Sequence, residues 1–391
     1  MNVDVVVIGL GAMGSATAYQ LAKRGVTVTG IDRFSPPHAF GSTHGDTRMT
    51  RQATSEGEAY VLLAIRSQQL WREIESETGT DLFTACGNLI LTAASVSTDQ
   101  YGGSGFFAAT VYAAKEYGIE HEVLSTDETR SRFPQFHLNE EYLCYYEPGA
   151  GFVRPEAAVA AQLELASRHG AHIHRNERVT RMEATSNGVT VHTDRATYAA
   201  DQAIVTAGPW IGQLAGGSSD IAQLFGIYRQ VQHWFDTTGS DVSLTADHMP
   251  AFIWRFGPED SDYFYGFPAI NGLEGGLKVA TEQHTVTTDP DTLNQEVSAE
   301  ESRVMFKRYV DGRLPLRASV IKTDPCIKTV TPDTYFIIDR HPEHPNVLLA
   351  SPCSGNGFKH SAAIGEALAE WAIDGKPTIN LSTFALERFA S

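Results

Sequence analysis

The sequence has few cysteines, no excess of basic charge and no long apolar run, and each shortage excludes a class of protein. Its four cysteines lack metal-ligand spacing and are too few for a disulfide framework, so we expect no metal site. A net charge of −17 argues against nucleic-acid or anionic-membrane partners. No apolar stretch approaches the roughly 20 residues that span a bilayer, and no basic leader precedes the first apolar run. We expect a soluble, cytoplasmic protein.

The first 32 residues contain the pattern of a dinucleotide-binding unit. An apolar run over 3–8 is typical of a strand buried on both faces. The motif Gly-Leu-Gly-Ala-Met-Gly follows at 9–14 and opens a helical stretch. A second strand, over 26–31, ends at Asp32. The pattern indicates a strand, a glycine-rich turn and a helix, the context in which this fingerprint binds a dinucleotide.

Each glycine of the fingerprint has a separate physical task. Gly9 permits the tight turn, Gly11 lets a pyrophosphate approach the backbone, and Gly14 lets the helix pack closely on the sheet. The helix N-terminus offers free N–H groups and a positive dipole end to the phosphates. Asp32 lies eighteen residues beyond Gly14, near the spacing of a carboxylate that contacts the adenosine ribose. FAD and NAD both fit this pattern.

Helix and strand patterns on either side of a β-rich region indicate an α/β chain of two interleaved domains. At 391 residues the chain is too long for one small core. We expect a Rossmann-like, doubly wound nucleotide-binding domain and an antiparallel-sheet substrate domain inserted into it. The first domain is assigned to residues 1–85, 150–220 and 325–391, and the second to 86–149 and 221–324.

Three polar clusters have the residue types that cofactor chemistry requires. The first, over 42–51, has two arginines, a histidine and an aspartate in a loop after the second strand. The second, over 326–333, begins with a cysteine. The third, over 354–360, places glycines and a lysine before the last helix, whose dipole end favours developing negative charge. Plainer interpretations are a solvated loop, a buried structural thiol and an ordinary β-to-α loop.

The fingerprint, these three clusters and several shorter motifs follow one another along the chain in a characteristic order. After the fingerprint, the motifs are Pro-Pro-His, Gly-Ser-X-His-Gly-Asp-Thr-Arg, Tyr-Arg-Gln-Val, Tyr-Gly-Phe-Pro, Cys-X-X-Thr-X-Thr-Pro-Asp, Ile-Ile-Asp-X-His-Pro-Glu-His and Ser-Gly-X-Gly-Phe-Lys. The series resembles the monomeric sarcosine oxidase and N-methyltryptophan oxidase family, within the D-amino-acid-oxidase-like FAD proteins. The resemblance implies FAD-dependent oxidation of a secondary amine, such as an N-methyl amino acid, to an imine. It also implies that oxygen is reduced to hydrogen peroxide and that the imine hydrolyses to an aldehyde and a primary amine.

The resemblance also implies roles for individual residues. Cys326 matches the cysteine that bonds covalently to the flavin 8α-methyl carbon. Arg51 and Lys359 match the pair that binds the substrate carboxylate, for which an arginine fork is geometrically suited. Lys278 matches the lysine at which oxygen is activated, and Tyr265 matches an active-site tyrosine, although a core role is more usual for such a residue.

The resemblance thus implies two sets of site residues. The expected catalytic residues are Lys278, Arg51, Lys359, Tyr265, Lys328, Arg48 and His44. The expected FAD-binding residues are Gly9, Gly11, Ala12, Met13, Gly14, Asp32, Arg33, Ser42, Thr43, Thr47, Arg48, Cys326, Gly355, Asn356, Gly357, Phe358 and Lys359.

The chain departs from the sarcosine oxidases at pocket positions. Glu282 stands where they have a histidine, Lys328 where they have a tyrosine, and Asn356 where they have the histidine of Gly-His-Gly. Beside Arg51 and Lys359, Lys328 favours a second anionic group on the substrate, unless Glu282 neutralises it. The plain alternative is that Lys328 points into solvent.

Two other functions stay open on the sequence. An oxidase or dehydrogenase of a cyclic imino acid, such as proline or pipecolate, or of another α-amino acid would use the same scaffold, with oxygen or another electron acceptor. A non-catalytic flavoprotein would use the fold for binding alone, which the clustered Arg51, Lys278 and Lys359 argue against. We expect a monomer whose partners are a small amine and oxygen.

Overall fold

The computed structural model describes residues 2–96, 105–215 and 219–390, where helices and strands alternate at both ends of the chain. The strands are β1 (Asn2–Ile8), β2 (Val28–Ile31), β3 (Arg48–Thr50), β4 (Phe83–Thr84), β5 (Asn88–Ala93), β6 (Glu122–Leu124), β7 (Tyr142–Glu147), β8 (Gly151–Val153), β9 (His172–His174), β10 (Val179–Thr185), β11 (Gly188–Thr193), β12 (Thr197–Val205), β13 (Gly226–Phe235), β14 (Ala251–Arg255), β15 (Tyr263–Phe267), β16 (Leu277–Ala280), β17 (Val320–Val330), β18 (Ile337–His341) and β19 (His344–Ser351). The α-helices are α1 (Ala12–Lys23), α2 (Glu58–Thr78), α3 (Phe106–Glu116), α4 (Thr126–Arg132), α5 (Pro155–Arg168), α6 (Ile211–Leu214), α7 (Ser219–Gln223), α8 (Ala299–Met305) and α9 (Ser361–Asp374).

The first sheet contains the N-terminal strand and its parallel neighbours. Its order is β10-β11-β12-β1-β2-β9, with β19 beside the end of β12 and β18 beside β19. Strand β1 is parallel to both β2 and β12, and β12 is parallel to β19. Helix α1 packs against α5 and α9, and the apolar run of β1 is buried on both faces. Val5 and Val7 lie in the apolar cluster that contains these helices, and Val6 and Ile8 lie in a second cluster. This is the doubly wound sheet that the sequence predicts.

The second sheet has the order β17-β13-β16-β15-β14-β5-β7-β6. Its strand pairs are antiparallel except for β14 with β5. One face buries an aromatic core that includes Phe252, Trp254 and Phe264. A three-stranded sheet, β3-β8-β4, lies at the start of the Arg51 loop. The functional side chains come from loops of the first sheet and strands of the second.

One strand boundary differs from the sequence expectation for a local reason. Strand β2 begins at Val28 because the Val26 N–H donates to the Leu21 oxygen at the end of α1. The last α-helix begins at Ser361, after a 3-10 turn over Gly357–His360. The domain boundaries remain predictions, and the boundary placed at 325 falls within β17, a strand of the second sheet. No helix in the described ranges has the length and apolar character needed to cross a bilayer.

Candidate active site

A cavity of about 520 Å³ opens at the carboxyl ends of the parallel strands of the first sheet. Gly9 and Asp32 line it directly after β1 and β2, and Thr206 and Ser351 line it at the ends of β12 and β19. This edge is where open α/β sheets bind their ligands. The predicted cofactor residues that line the cavity are Gly9, Gly11, Ala12, Met13, Asp32, Arg33, Ser42 and Thr43.

The three fingerprint glycines occupy different surroundings. Gly9 has φ +90°, and a Cβ there would lie 2.7 Å from the Ala207 Cα atom. A Cβ on Gly14 would collide with the Gly9 backbone oxygen. Gly11 instead faces the cavity, with only Thr43 Oγ1 at 3.6 Å. Gly11 has no side chain to cap α1, and the Ala12 N–H donates to Thr43 Oγ1 at 3.4 Å, so the N–H groups that follow Ala12 in the first turn are those available to an anion beside Gly11.

Asp32 supports the glycine turn from the end of β2. Its Oδ2 atom accepts a hydrogen bond from the Leu10 N–H at 2.7 Å, and Oδ1 accepts one from the Phe34 N–H at 2.8 Å. The carboxylate also lines the cavity. Both oxygens thus bind backbone N–H groups, and contact of this carboxylate with a ribose stays a prediction.

Several cavity residues were not predicted from the sequence. Cys353 lies two residues beyond β19, with Sγ 3.0 Å from the Ser351 Oγ atom. Trp210 follows β12 and packs on the Arg33 guanidinium at 4.8 Å. Their position just after parallel strands is the clue that the sequence offered.

Lys278 lies on β16 of the second sheet and binds the loop that follows β2 of the first sheet. Its Nζ atom donates hydrogen bonds to the Gly45 oxygen at 2.6 Å and the Thr47 oxygen at 2.8 Å. Burial lowers the pKa of Lys278 well below its ordinary value, and the Arg48 charge acts in the same direction. The site therefore contains a buried amine whose charge is sensitive to its surroundings.

Arg48 and Cys326 lie near Lys278. Arg48 donates to the Ser42 oxygen at 2.9 Å and to Gln232 Oε1 at 3.2 Å. Cys326 is buried on β17; burial raises the pKa of its thiol, and the charges of Arg48 and Lys278 oppose that shift. The structure thus brings the second polar cluster of the sequence against the first.

Buried polar atoms beside this group provide a test of whether a flavin fits. His44 donates from Nδ1 to Asp324 Oδ2 at 2.9 Å. Burial acts to raise the pKa of that carboxyl, but the hydrogen bond from His44 helps to hold it below its ordinary range. Among the described residues, His44 Nε2, Thr47 Oγ1 and Thr329 Oγ1 are buried without a hydrogen-bond partner. Thr329 also lines the cavity, on the same strand as Cys326. With the open approach at Gly11, these groups suit the FAD that the resemblance implies.

Arg51 is buried in the loop between β3 and α2, at 3% exposure. Its Nη1 atom donates to the Ala53 oxygen, and its guanidinium carbon lies 5.4 Å from the Phe106 ring centroid. Buried Glu147 accepts hydrogen bonds from the backbone N–H groups of Gln52 at 2.6 Å and Ala53 at 3.2 Å. Glu147, which sequence reasoning missed, thereby holds the loop that positions Arg51.

Lys359 lies in the 3-10 turn before α9 and points to the same region as Arg51. Its Nζ atom donates to the Asn356 oxygen at 2.9 Å, and Asn356 Nδ2 donates to Glu56 Oε1 at 2.9 Å. Burial lowers the pKa of Lys359 to about 8; Arg51 adds to this, while Glu56 opposes it. Burial also acts to raise the pKa of Glu56, but Lys359 and Arg51 outweigh it and lower that pKa. Glu56 was not predicted, although it stands only five residues after Arg51.

Lys328 is buried rather than directed into solvent, at 7% exposure. Its Nζ atom donates to Glu282 Oε2 at 2.8 Å and to His284 Nε2 at 2.9 Å. Burial and the Lys328 charge lower the pKa of His284, consistent with a neutral ring that accepts this bond. Gly355 adjoins the pair, because a Cβ there would lie 2.7 Å from Lys328 Nζ. The structure therefore shows that Glu282 neutralises Lys328, which is one of the alternatives that the sequence left open.

Two further predicted residues lie at the edge of this region. Tyr265, on β15, is half-buried; burial raises its pKa, with Glu282 acting in the same direction. Phe358 stacks on Trp71 with ring centroids 5.9 Å apart, so its observed contact is with the core of the first domain. The cofactor role of Phe358 stays a prediction.

Comparison with known proteins identifies the family. The FAD dependent oxidoreductase family model (DAO) matches residues 4–371. The monomeric sarcosine oxidase of Streptomyces avermitilis is 37% identical over 391 residues, covering 99% of this chain and 98% of that protein. The N-methyl-L-tryptophan oxidase of Yersinia pestis is 34% identical over 399 residues, covering 100% of both.

Solved structures share the fold along the whole chain. NikD, described as an unusual amino acid oxidase, has a TM-score of 0.81 at 23% identity, covering 98% of this chain and 97% of its own. Glycine oxidase from Geobacillus kaustophilus has a TM-score of 0.75 at 21% identity, covering 99% of each. These findings confirm the predicted two-domain FAD-binding fold. The chain belongs to the FAD dependent oxidoreductase family, in the group that contains the monomeric sarcosine oxidases and the N-methyl-L-tryptophan oxidases.

Proposed function

We propose that this enzyme oxidises the secondary amine of an N-substituted amino acid, most simply an N-methyl amino acid. The observation that carries the proposal is that Arg51 and Lys359, two buried cationic side chains, are close enough for the charge of Arg51 to lower the pKa of Lys359. Relatives at 34–37% identity are named for sarcosine and N-methyl-L-tryptophan, both N-methyl amino acids. Their names and the paired cations support the same substrate class.

The substrate carboxylate would bind between Arg51 and Lys359. The guanidinium presents planar N–H donors that match a carboxylate, and the ammonium adds a point charge. Glu147 holds the Arg51 loop through two backbone N–H groups, and Asn356 accepts a hydrogen bond from Lys359. Both cations are thus fixed before the substrate arrives, which reduces the entropy cost of binding.

FAD would occupy the cavity at Gly11 and extend past Thr329 towards Cys326. When bound, FAD supplies a two-electron acceptor that oxygen can reoxidise. We propose that the Cys326 sulfur is bonded to the flavin 8α-methyl carbon, which prevents loss of the cofactor. His44 Nε2 and Thr47 Oγ1, buried and without partners in the described structure, would then face the flavin.

Lys278 would stabilise the negative charge that develops as oxygen is reduced to hydrogen peroxide. A buried cation near that charge lowers the barrier more than an exposed one would. For an N-methyl substrate the products are the imine, hydrolysed to formaldehyde and the primary amino acid, and one hydrogen peroxide per amine. We also propose that the enzyme acts as a cytoplasmic monomer, in keeping with relatives named monomeric.

A panel of N-methyl amino acids tests this function. The holoenzyme is mixed with each compound in air, and hydrogen peroxide and formaldehyde are both quantified. Equal amounts of the two support the proposal. Flavin bleaching by proline or pipecolate instead, with slow reoxidation in air, would assign the alternative imino-acid activity. Failure of every amine to bleach the flavin would indicate a non-catalytic flavoprotein.

A further inference from the structure

Buried Lys328 and half-buried Glu282 form an ion pair beside the proposed carboxylate-binding region. Glu282 Oε2 lies 2.8 Å from Lys328 Nζ, while its Oε1 atom lies next to Gly355. The following residue, Asn356, binds both Lys359 and Glu56. The pair is therefore one residue along the same turn from the proposed carboxylate site.

The charged groups of this region nearly balance one another. Lys328, Lys359 and Arg51 contribute three cations, and Glu56 and Glu282 contribute two anions. Glu147, which holds the Arg51 loop, contributes a third carboxyl group, whose pKa burial raises although Arg51 opposes that shift. His284 accepts from Lys328 as a neutral ring. The region therefore has at most one uncompensated positive charge, which a single substrate carboxylate is enough to neutralise.

We propose that the Glu282–Lys328 pair is a specificity element that selects monocarboxylate substrates and rejects those with a second carboxylate. The inference rests on the proposed function, because it assumes that the first carboxylate binds Arg51 and Lys359. A second carboxylate would have to compete with Glu282 for Lys328. Its charge would also lie beside that of Glu282 in a poorly solvated site, where like charges repel strongly.

The arrangement excludes the wrong ligand by an element that repels it, which is how many sites achieve discrimination. Glu282 has only one oxygen engaged with Lys328, so the other remains directed towards Gly355 and the turn. Removing one partner of a buried pair leaves the other charge uncompensated. In a Glu282→Gln variant, Lys328 would become an unpaired cation that a second carboxylate can neutralise.

Two unreactive ethers test the proposal without turnover. Methoxyacetate has the size of N-methylglycine with one carboxylate, and diglycolate has two; neither has an amine to oxidise. Binding is measured as the change in flavin visible absorbance of the holoenzyme. We expect wild type to bind diglycolate on the order of 100-fold more weakly than methoxyacetate, from like-charge repulsion. In Glu282→Gln, the ratio of the diglycolate to the methoxyacetate dissociation constant should fall at least about tenfold, because diglycolate binds more tightly.

Further variants separate charge from shape. Glu282→Gln combined with Lys328→Gln removes both charges, so the gain in diglycolate binding should disappear. Lys328→Met, which tests the pair independently of Glu282→Gln, leaves Glu282 unpaired and should weaken diglycolate more than methoxyacetate. The exposed Glu274→Gln serves as the matched control and should behave as wild type.

The outcomes distinguish this proposal from the function on which it rests. If methoxyacetate binds but Glu282→Gln leaves the ratio unchanged, or improves both ligands equally, the specificity element is refuted while the carboxylate site stands. If neither ether perturbs the flavin of wild type or any variant, the carboxylate site fails and this inference with it. A selective gain for diglycolate in Glu282→Gln, lost in the double variant, supports the proposal.

Discussion

Lys359 donates a hydrogen bond from Nζ to the backbone oxygen of Asn356 at 2.9 Å, within the turn that precedes α9. The same residue, Asn356, donates from its side chain to Glu56. Lys359, which we propose binds the substrate carboxylate, is thus fixed by its own turn, and that turn also holds the carboxylate of Glu56 nearby. Because Lys359 is buried, its charge depends on pH near neutrality.

The pH dependence of carboxylate binding should report Lys359. Burial lowers its pKa to about 8, so the side chain is charged below that pH and loses its charge above it. The dissociation constant of methoxyacetate, which stays ionised, should be flat below about pH 7 and then rise up to tenfold per pH unit. Lys359→Met should bind weakly with no such rise, whereas exposed Lys376→Met should retain it. A wild-type constant unchanged from neutral to alkaline pH would contradict this role.

Replacing Lys278 by methionine should separate the two half-reactions. We expect anaerobic bleaching by substrate to persist while reoxidation by oxygen slows by about 10² to 10³, because a buried charge at the developing anion is lost. Since burial lowers the pKa of Lys278, the wild-type oxygen reaction should also slow as pH rises, and Lys278→Met should not show this. Stopped-flow absorbance measures both steps.

Lys322→Met is a matched control for that experiment. The Nζ atoms of Lys322 and Lys278 lie 4.4 Å and 5.3 Å from the Trp234 ring centroid. The side chain of Lys322, however, is 44% exposed. The reduced flavin of Lys322→Met should be reoxidised by oxygen at the wild-type rate. Unchanged oxygen reactivity in Lys278→Met would remove the lysine from the oxidase mechanism.

The bond between Cys326 and the flavin should survive unfolding. Denatured wild-type protein should remain yellow after filtration, and denatured Cys326→Ser should release all of its flavin. Cys144→Ser, a change at a buried thiol in the core of the second sheet, should keep the colour. Yellow filtrate from denatured wild type would show that the flavin is not covalently held.

Two alanine substitutions should separate folding from cofactor binding. A Cβ on Gly14 collides with the Gly9 oxygen, so Gly14→Ala should destabilise the fold by several kcal/mol or yield no folded protein. Gly11 has space for a Cβ, so the free energy of unfolding of Gly11→Ala apoprotein should lie within about 0.5 kcal/mol of the wild-type value. Because that methyl group occupies the approach to the backbone, FAD should bind Gly11→Ala more weakly. Thermal unfolding and flavin titration measure the two effects, and equal behaviour of both variants would contradict the assignment.

The local parts of this architecture could be predicted from the sequence. The apolar run of β1, the glycine turn and the helix after it follow from periodicity and from backbone geometry that only glycine permits. Asp32 shows where such reasoning ends. Its spacing predicts a ribose contact, which stays a prediction, whereas its hydrogen bonds to the backbone N–H groups of Leu10 and Phe34 could be seen only in the structure.

Contacts between residues far apart in the chain were not predictable in the same way. Glu56 reaches Asn356, 300 residues away, and Glu147 supports a loop 95 residues before it. A glutamate before a helix or at a strand end has the pattern of a surface residue until the fold places it against Arg51. The pairing of Lys328 with Glu282 is of the same kind, because it depends on the register of β17 and on the loop after β16.

The central claim is that a flavin in this protein oxidises an amine whose carboxylate binds Arg51 and Lys359. Anaerobic mixing of the yellow holoenzyme with N-methylalanine or with N-methylethylamine, which lacks only the carboxylate, tests it most directly. We expect the amino acid to bleach the flavin and the simple amine to react at least about 10²-fold less efficiently, with Arg51→Met removing most of that difference. Equal bleaching by the two amines, or bleaching by neither across the N-methyl amino acid panel, would contradict the account.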